Sequence, residues 1–153
     1  MWDFFRTFAA FYHKGKGRRG IGDGNDSEES MEYTRQYKSL DVYIVARQLV
    51  LSVYKLLQIF PSEERYALCD QLRRAVISVP SNVAEGLGRG SEKEQVRFLE
   101  IAYGSLMEVE TQLEIALDLK YISEEELNST MELIDREARL LSGLRARRIS
   151  RNP

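Results

Sequence analysis

Residues 91–116 read SEKEQVRFLEIAYGSLMEVETQLEIA. Leu99, Ala102, Leu106, Val109, Leu113 and Ala116 recur at alternating intervals of three and four, the spacing that lines up side chains on one stripe of an α-helix. Ser91-Glu92-Lys93-Glu94 at its head has the form of a capping box, in which the Ser and Glu side chains satisfy each other's backbone donors. The spacing predicts one long helix ending near Lys120.

The same reasoning extends outward. Downstream, Ser123-Glu124-Glu125-Glu126 is a second capping box, followed by the stripe Leu127, Met131, Ile134, Ala138 and Leu141. Upstream, Leu68, Leu72, Ala75, Val76, Val79 and Val83 form a stripe predicted to begin near Ser62 and stop at Gly86 or Gly88. Pro80 lies inside it, and the missing N–H predicts a kink or break there, with Ser78 and Ser81 placed to satisfy freed carbonyls. Further upstream, Val42, Val45, Leu49, Val53, Leu56 and Phe60 predict a helix from about Ser39, as N-cap, to Ile59, closed by Pro61. The connections are only a few residues long, so neighbouring helices run antiparallel. The fold class is therefore all-α: an antiparallel up-down-up-down four-helix bundle over residues 37–144, with an N-terminal extension over 1–36 and a basic C-terminal tail over 145–153.

The extension is expected to be disordered or irregular. Residues 15–30, GKGRRGIGDGNDSEES, are rich in Gly and charge and lack apolar periodicity. The aromatic run before them (Trp2, Phe4, Phe5, Phe8, Phe11) precedes the basic residues, the reverse of a secretory signal. Two readings stay open, an interfacial anchor and an unstructured stretch upstream of a true start at Met31. No run of about 18 apolar residues exists to span a membrane. A single Cys in 153 residues excludes an internal disulfide and agrees with a cytoplasmic protein.

The first helix carries more apolar surface than one packing face requires. Tyr43, Ile44, Val50, Leu51 and Tyr54 lie about 80–200° around the helix from Val42. They are expected to form a homo-oligomer interface, the alternative being a broad core face in a tight bundle. Phe98, Ile101 and Ile115 stand similarly at the edge of the third stripe. A polar face runs along the second helix: Arg74, Ser78, Ser81, Asn82, Glu85 and Arg89, joined from the third helix by Ser105 and Glu108, with Gly104 allowing close backbone approach. Arg74 is expected to pair with Glu85 or Glu108. The face reads either as a ligand or nucleic-acid groove or as a structural polar network.

These residues carry a resemblance. QLRRAVISVPSNVAEGLGRGS (71–91) followed by FLEIAYGSLMEVETQLEIA (98–116) is similar to the bacterial four-helix-bundle proteins encoded in intervening sequences of 23S rRNA genes. The family pattern falls on Arg74, Ala75, Ser78, Pro80, Ser81, Asn82, Ala84, Glu85, Gly86, Phe98, Leu99, Ala102, Gly104, Ser105 and Glu108. Tyr103 departs from it, standing where a basic or small residue is usual. The likeness runs from about Tyr37 to Leu144. It implies a small bundle assembling into a ring, commonly a pentamer. It also implies kinship with accessory proteins of diversity-generating retroelements, which bind a reverse transcriptase and RNA.

Charge gives RNA binding limited support. Residues 37–142 hold 12 basic and 18 acidic side chains, a net of −6, whereas residues 143–153 hold four Arg and no acid. Phosphate neutralisation needs cations, so Arg73, Arg74, Arg89, Arg145, Arg147 and Arg148 are the candidate RNA contacts, gathered into a basic surface only by assembly. No phosphate loop, nucleophile elbow or Glu-x-x-His motif occurs, so neither catalysis nor a metal or other cofactor is expected. Cys69, near Arg73, is read as a small buried hydrophobe rather than a nucleophile. The expected protein is a non-enzymatic oligomeric scaffold or adaptor, with RNA binding as the alternative.

Overall fold

In the computed structural model the described residues are 36–150, and the expectations about the N-terminal extension lie outside them. Four α-helices follow in order: α1 (Asp41–Leu56), α2 (Leu68–Leu87), α3 (Glu92–Asp118) and α4 (Glu124–Ile149). Short 3₁₀ helices occupy Gln36–Ser39 and Ser62–Tyr66. There is no strand among the described residues. α1 packs on α2 and α4, and α3 packs on the same two, so α1 and α3 occupy opposite corners of the bundle.

The apolar stripes meet in one core. Leu49, Leu72, Leu99, Leu106, Leu113, Ile134 and Leu141 are fully buried. Burial of each such side chain is worth about 1.5–3 kcal/mol against leaving it in water, so the 3/4 periodicity of the sequence is the main source of the fold. Two hydroxyl pairs stitch the corners: Ser52 to Thr130 at 2.9 Å between α1 and α4, and Ser78 to Ser105 at 2.8 Å between α2 and α3.

Helix ends depart from the sequence expectations in informative ways. α1 begins after a 3₁₀ turn, with Leu40 rather than Ser39 at the N-cap and no side-chain cap there. Residues 62–66 form a separate 3₁₀ turn, and the α-helix starts only at Leu68. Glu64 does the capping: its carboxylate accepts from the Leu68 N–H at 3.1 Å and from the Tyr121 hydroxyl at 3.0 Å. That hydroxyl bond to Glu64 raises the Tyr121 pKa. Ser91 occupies an N-cap but its side chain accepts no capping bond. At Ser123 the box closes: its Oγ accepts from the Glu126 N–H at 3.3 Å and its own N–H donates to Glu126 at 2.8 Å. The latter bond chiefly holds the Glu126 carboxyl below its ordinary pKa.

α2 runs unbroken through Pro80. Ser81 donates its hydroxyl to the Ile77 carbonyl and Asn82 donates to the Ser78 carbonyl, both at 2.8 Å; neither is the Val76 carbonyl that Pro80 leaves without its N–H, and the Ser78 hydroxyl bonds Ser105 instead of a freed carbonyl. α4 continues to Ile149, five residues past the expected boundary at Leu144, and carries Arg145, Arg147 and Arg148 on helix rather than on a separate tail. Its buried stripe is Leu127, Thr130, Ile134, Glu137 and Leu141; Met131 and Ala138, expected in the core, are only half-buried.

Candidate functional site

The polar face of α2 resolves into three short-range clusters. Arg74 is exposed and pairs with Asp70, one turn back. The expected partners do not reach it: Glu85 lies 11 residues along α2, about 16 Å at 1.5 Å per residue, and Glu108 accepts instead from Gln112 at 2.9 Å. Nearer charges at i,i+4 outcompete distant ones. Ser78 is the hub of the second cluster. It bonds Ser105 on α3 and accepts from Asn82 at 2.9 Å, and Ser105 also donates to the Ile101 carbonyl at 3.0 Å. Ser81 is exposed and bonded to its own helix. In the third cluster Glu85 pairs with Arg89, whose guanidinium lies 4.8 Å from the Phe98 ring centroid. Gln95 donates to the Arg89 carbonyl at 2.7 Å, closing the α2–α3 turn. Ser78–Ser105, Gln95–Arg89 and Arg89–Phe98 tie α2 to α3 along this face, with Arg74 and Ser81 on its outer edge.

Gly86, not Gly104, marks the close approach. A Cβ on Gly86 would meet the Phe98 Cβ at 2.9 Å, whereas a Cβ on Gly104 meets nothing within 4 Å. Gly104 therefore faces outward on α3, with Ile101 and Ile115 also exposed. Phe98 is half-buried under Arg89.

The candidate oligomer residues divide in two. Tyr43 and Val50 are half-buried and pack against their own core, and Tyr43 also meets Tyr37 edge-on at 4.9 Å. Ile44, Leu51 and Tyr54 are exposed by 40%, 64% and 37%, joined by Leu40 at 40%. Arg47 lies among them, 6.0 Å from the Tyr43 ring. This is an apolar stripe on the outward side of α1, interrupted by Arg47.

The candidate RNA-contacting arginines are scattered. Arg74 and Arg89 are paired with acids, and Arg145 pairs with Glu100 at 3.3 Å. Arg73 donates to the Arg65 carbonyl at 3.3 Å. Arg147 is exposed on the last turn of α4, and Arg148 is half-buried.

Glu137 escaped the sequence reading. It is fully buried, neither carboxyl oxygen has a hydrogen-bond partner, and burial pushes its pKa up to about 8 against a weaker opposing pull from Arg136. The signal was present: Leu127, Thr130, Ile134, Glu137 and Leu141 also alternate by three and four. The apolar choice of Met131 and Ala138 hid it. Cys69 is buried, and desolvation raises its pKa despite Arg73, leaving the thiol unactivated. Among the described residues no group of three or more His, Cys, Asp and Glu is placed to hold a metal ion. No helix among them is long and apolar enough to cross a membrane.

Comparison with known proteins now decides the family. A family model described as 23S rRNA-intervening sequence protein matches residues 38–143. The chain belongs to that family. The match begins just ahead of α1 and ends within the last turns of α4, so the family unit is the bundle itself. No curated protein gives a significant match. A solved structure that does match is a protein of unknown function from the S23 ribosomal protein family of Bacteroides thetaiotaomicron. It has a TM-score of 0.63 and 21% identity, over 67% of this chain and 96% of that one. At that identity the likeness establishes a shared fold.

Proposed function

We propose that this member of the 23S rRNA-intervening sequence protein family is a non-enzymatic, homo-oligomeric scaffold in the cytoplasm, presenting a ring of bundles to a protein or nucleoprotein partner. The observation that carries the reading is the outward stripe of α1. Leu40, Ile44, Leu51 and Tyr54 leave a run of large apolar side chains in water on a helix whose opposite face already fills the core. Several large apolar side chains exposed together on one helix face are characteristic of interfaces. The pentameric ring implied by the family resemblance supplies a closed assembly in which every copy covers that stripe. A lone thiol, buried and unactivated, and polar clusters bonded for structure support a role without chemistry.

The test is the solution mass of the full chain and of Leu51→Glu by light scattering at micromolar concentration, with helicity followed by circular dichroism. The wild type is expected as a multimer and Leu51→Glu as a single chain of unchanged helicity. A single-chain wild type overturns the reading.

RNA contact is the second reading, favoured by Arg145, Arg147 and Arg148 on the end of α4. It requires binding that weakens steeply with salt and with Ala at those three positions. Absence of RNA retention at low salt removes it.

A further inference from the structure

We infer that α4 has two seatings in the bundle, and that ionisation of Glu137 turns it about its own axis from one to the other, exchanging the buried line Thr130/Glu137 for the line Met131/Ala138. The inference concerns each bundle by itself and goes beyond the oligomeric reading. Its ground is a mismatch along α4. Leu127, Ile134 and Leu141 form a central line that faces the core. At about 100° per residue, Thr130 and Glu137 lie roughly 50° to one side of that line, and Met131 and Ala138 roughly 50° to the other. The polar line is the one sealed in the core, Thr130 at 1% and Glu137 at 0% exposure, whereas the apolar line is left half-buried. Hydrophobicity alone would choose the reverse.

The two lines face different neighbours. Thr130 bonds Ser52 at 2.9 Å, so its line looks toward α1. Arg145, seven residues beyond Ala138 on the same line, pairs with Glu100, so that line looks toward α3. A turn of roughly 50° that carries Met131 and Ala138 into the core therefore carries Thr130 and Glu137 out into the groove between α1 and α4. It separates Ser52 from Thr130 and draws Leu133 and Leu140, half-buried at the α1 edge, further into water. Those losses hold the observed seating while the carboxyl is neutral. Packed helices exchange between discrete arrangements of this kind rather than deforming continuously.

A carboxylate is incompatible with the observed seating. Neither oxygen of Glu137 has a hydrogen-bond partner, and an ionised group buried unpaired is strongly disfavoured. No neighbouring helix offers it a cation. By the registers of the Ser52–Thr130 and Arg145–Glu100 pairs, Glu137 is level with Val45 on α1 and Glu108 on α3. The charged residues nearest those levels are Asp41 and Arg47 on α1, both exposed, and Glu108 and Glu110 on α3, one exposed and one half-buried. α2 has no charged residue between Arg74 and Glu85. On α4 itself Arg136 and Arg139 are exposed, and Arg136 alone pulls on the carboxyl, weakly against burial. The proton is therefore held up to about pH 8, and above that the turned seating gives the charge water without unfolding the helix.

The exposure of the Met131 methyl in the full chain, read by NMR as its relaxation by a dissolved nitroxide, tests the turn, with helicity followed by circular dichroism. From pH 6 to pH 10 that relaxation is expected to fall severalfold at unchanged helicity, because Met131 enters the core. In Glu137→Gln it is expected to keep the low-pH value throughout. Ala138→Gln puts an amide on the incoming line and leaves Glu137 in place; it is expected to move the change to higher pH or to abolish it, which titration without a turn would not do. Three results overturn the inference: Met131 exposure that stays constant in the wild type, exposure that changes equally in either variant, or exposure that rises together with a loss of helicity. None of them bears on the oligomeric reading, which is decided by the mass of the chain.

Discussion

Gly86 on α2 and Phe98 on α3 approach so closely that a Cβ built on the glycine lies 2.9 Å from the Phe98 Cβ and 3.3 Å from the Gln95 carbonyl oxygen. The contact fixes how near the two helices lie at their joined end. Gly86→Ala is expected to destabilise the bundle by about 1–3 kcal/mol, the usual cost of overpacking. The clash is with the Cβ, so trimming the ring by Phe98→Ala leaves it in place. Denaturant melts of the double variant are expected to show no rescue; rescue would mean that the ring, not the backbone spacing, sets the limit.

Glu137 makes stability depend on pH. The folded chain holds its proton up to about pH 8, whereas an ordinary glutamate releases it near 4.5. Between those values the folded state binds more protons than the unfolded one, so stability falls as pH rises through that window and levels off above it. The loss is on the order of a few kcal/mol. In Glu137→Gln that component of the slope should vanish. Urea melts at pH 5 and pH 9, at one fixed protein concentration, check this by the difference between wild type and variant. An equal difference at both pH values would show that Glu137 does not titrate in that window.

The α3–α4 turn holds Lys120 at φ 60°, a conformation that costs a side-chain-bearing residue roughly 1 kcal/mol. The Tyr121 N–H donates to the Ala116 carbonyl at 2.9 Å and the Lys120 N–H to the Leu117 carbonyl at 2.8 Å, the bond pair of a Schellman motif, in which glycine is preferred. Lys120→Gly is therefore expected to raise stability by about 0.5–1 kcal/mol, read as a higher denaturation midpoint with unchanged slope.

The apolar periodicity carried most of the bundle because apolar burial is the largest force driving the fold, and it repeats with the helix. Leu99 through Ala116 occupy the core positions that their spacing assigned. What escaped the sequence depends on competition between near-equal local choices. Two capping boxes were written alike, yet only Ser123 closes its box; the Ser91 side chain makes no capping bond, and at that helix start it is Gln95, outside the box, that ties back to the preceding turn through the Arg89 carbonyl. Arg74 shares a face with Glu85, but a face extends over several turns and a side chain reaches about one, so Asp70 takes it. Glu137 stayed hidden because hydrophobic patterning assigns a carboxyl to water, whereas packing of α4 turned it inward. The outward stripe of α1 was legible in large part: Ile44, Leu51 and Tyr54 are exposed, whereas Tyr43 and Val50 lean into the core.

The most direct measurement is the rate at which a maleimide labels Leu51→Cys in the full chain, taken from nanomolar to micromolar protein. Cys69 is buried, so the new thiol supplies the signal. If another copy covers the α1 stripe, labelling is slow at micromolar concentration and accelerates on dilution as the assembly dissociates. Fast labelling at every concentration would contradict the account by leaving the stripe open, and slow labelling that dilution does not change would contradict it by making the cover part of the same chain.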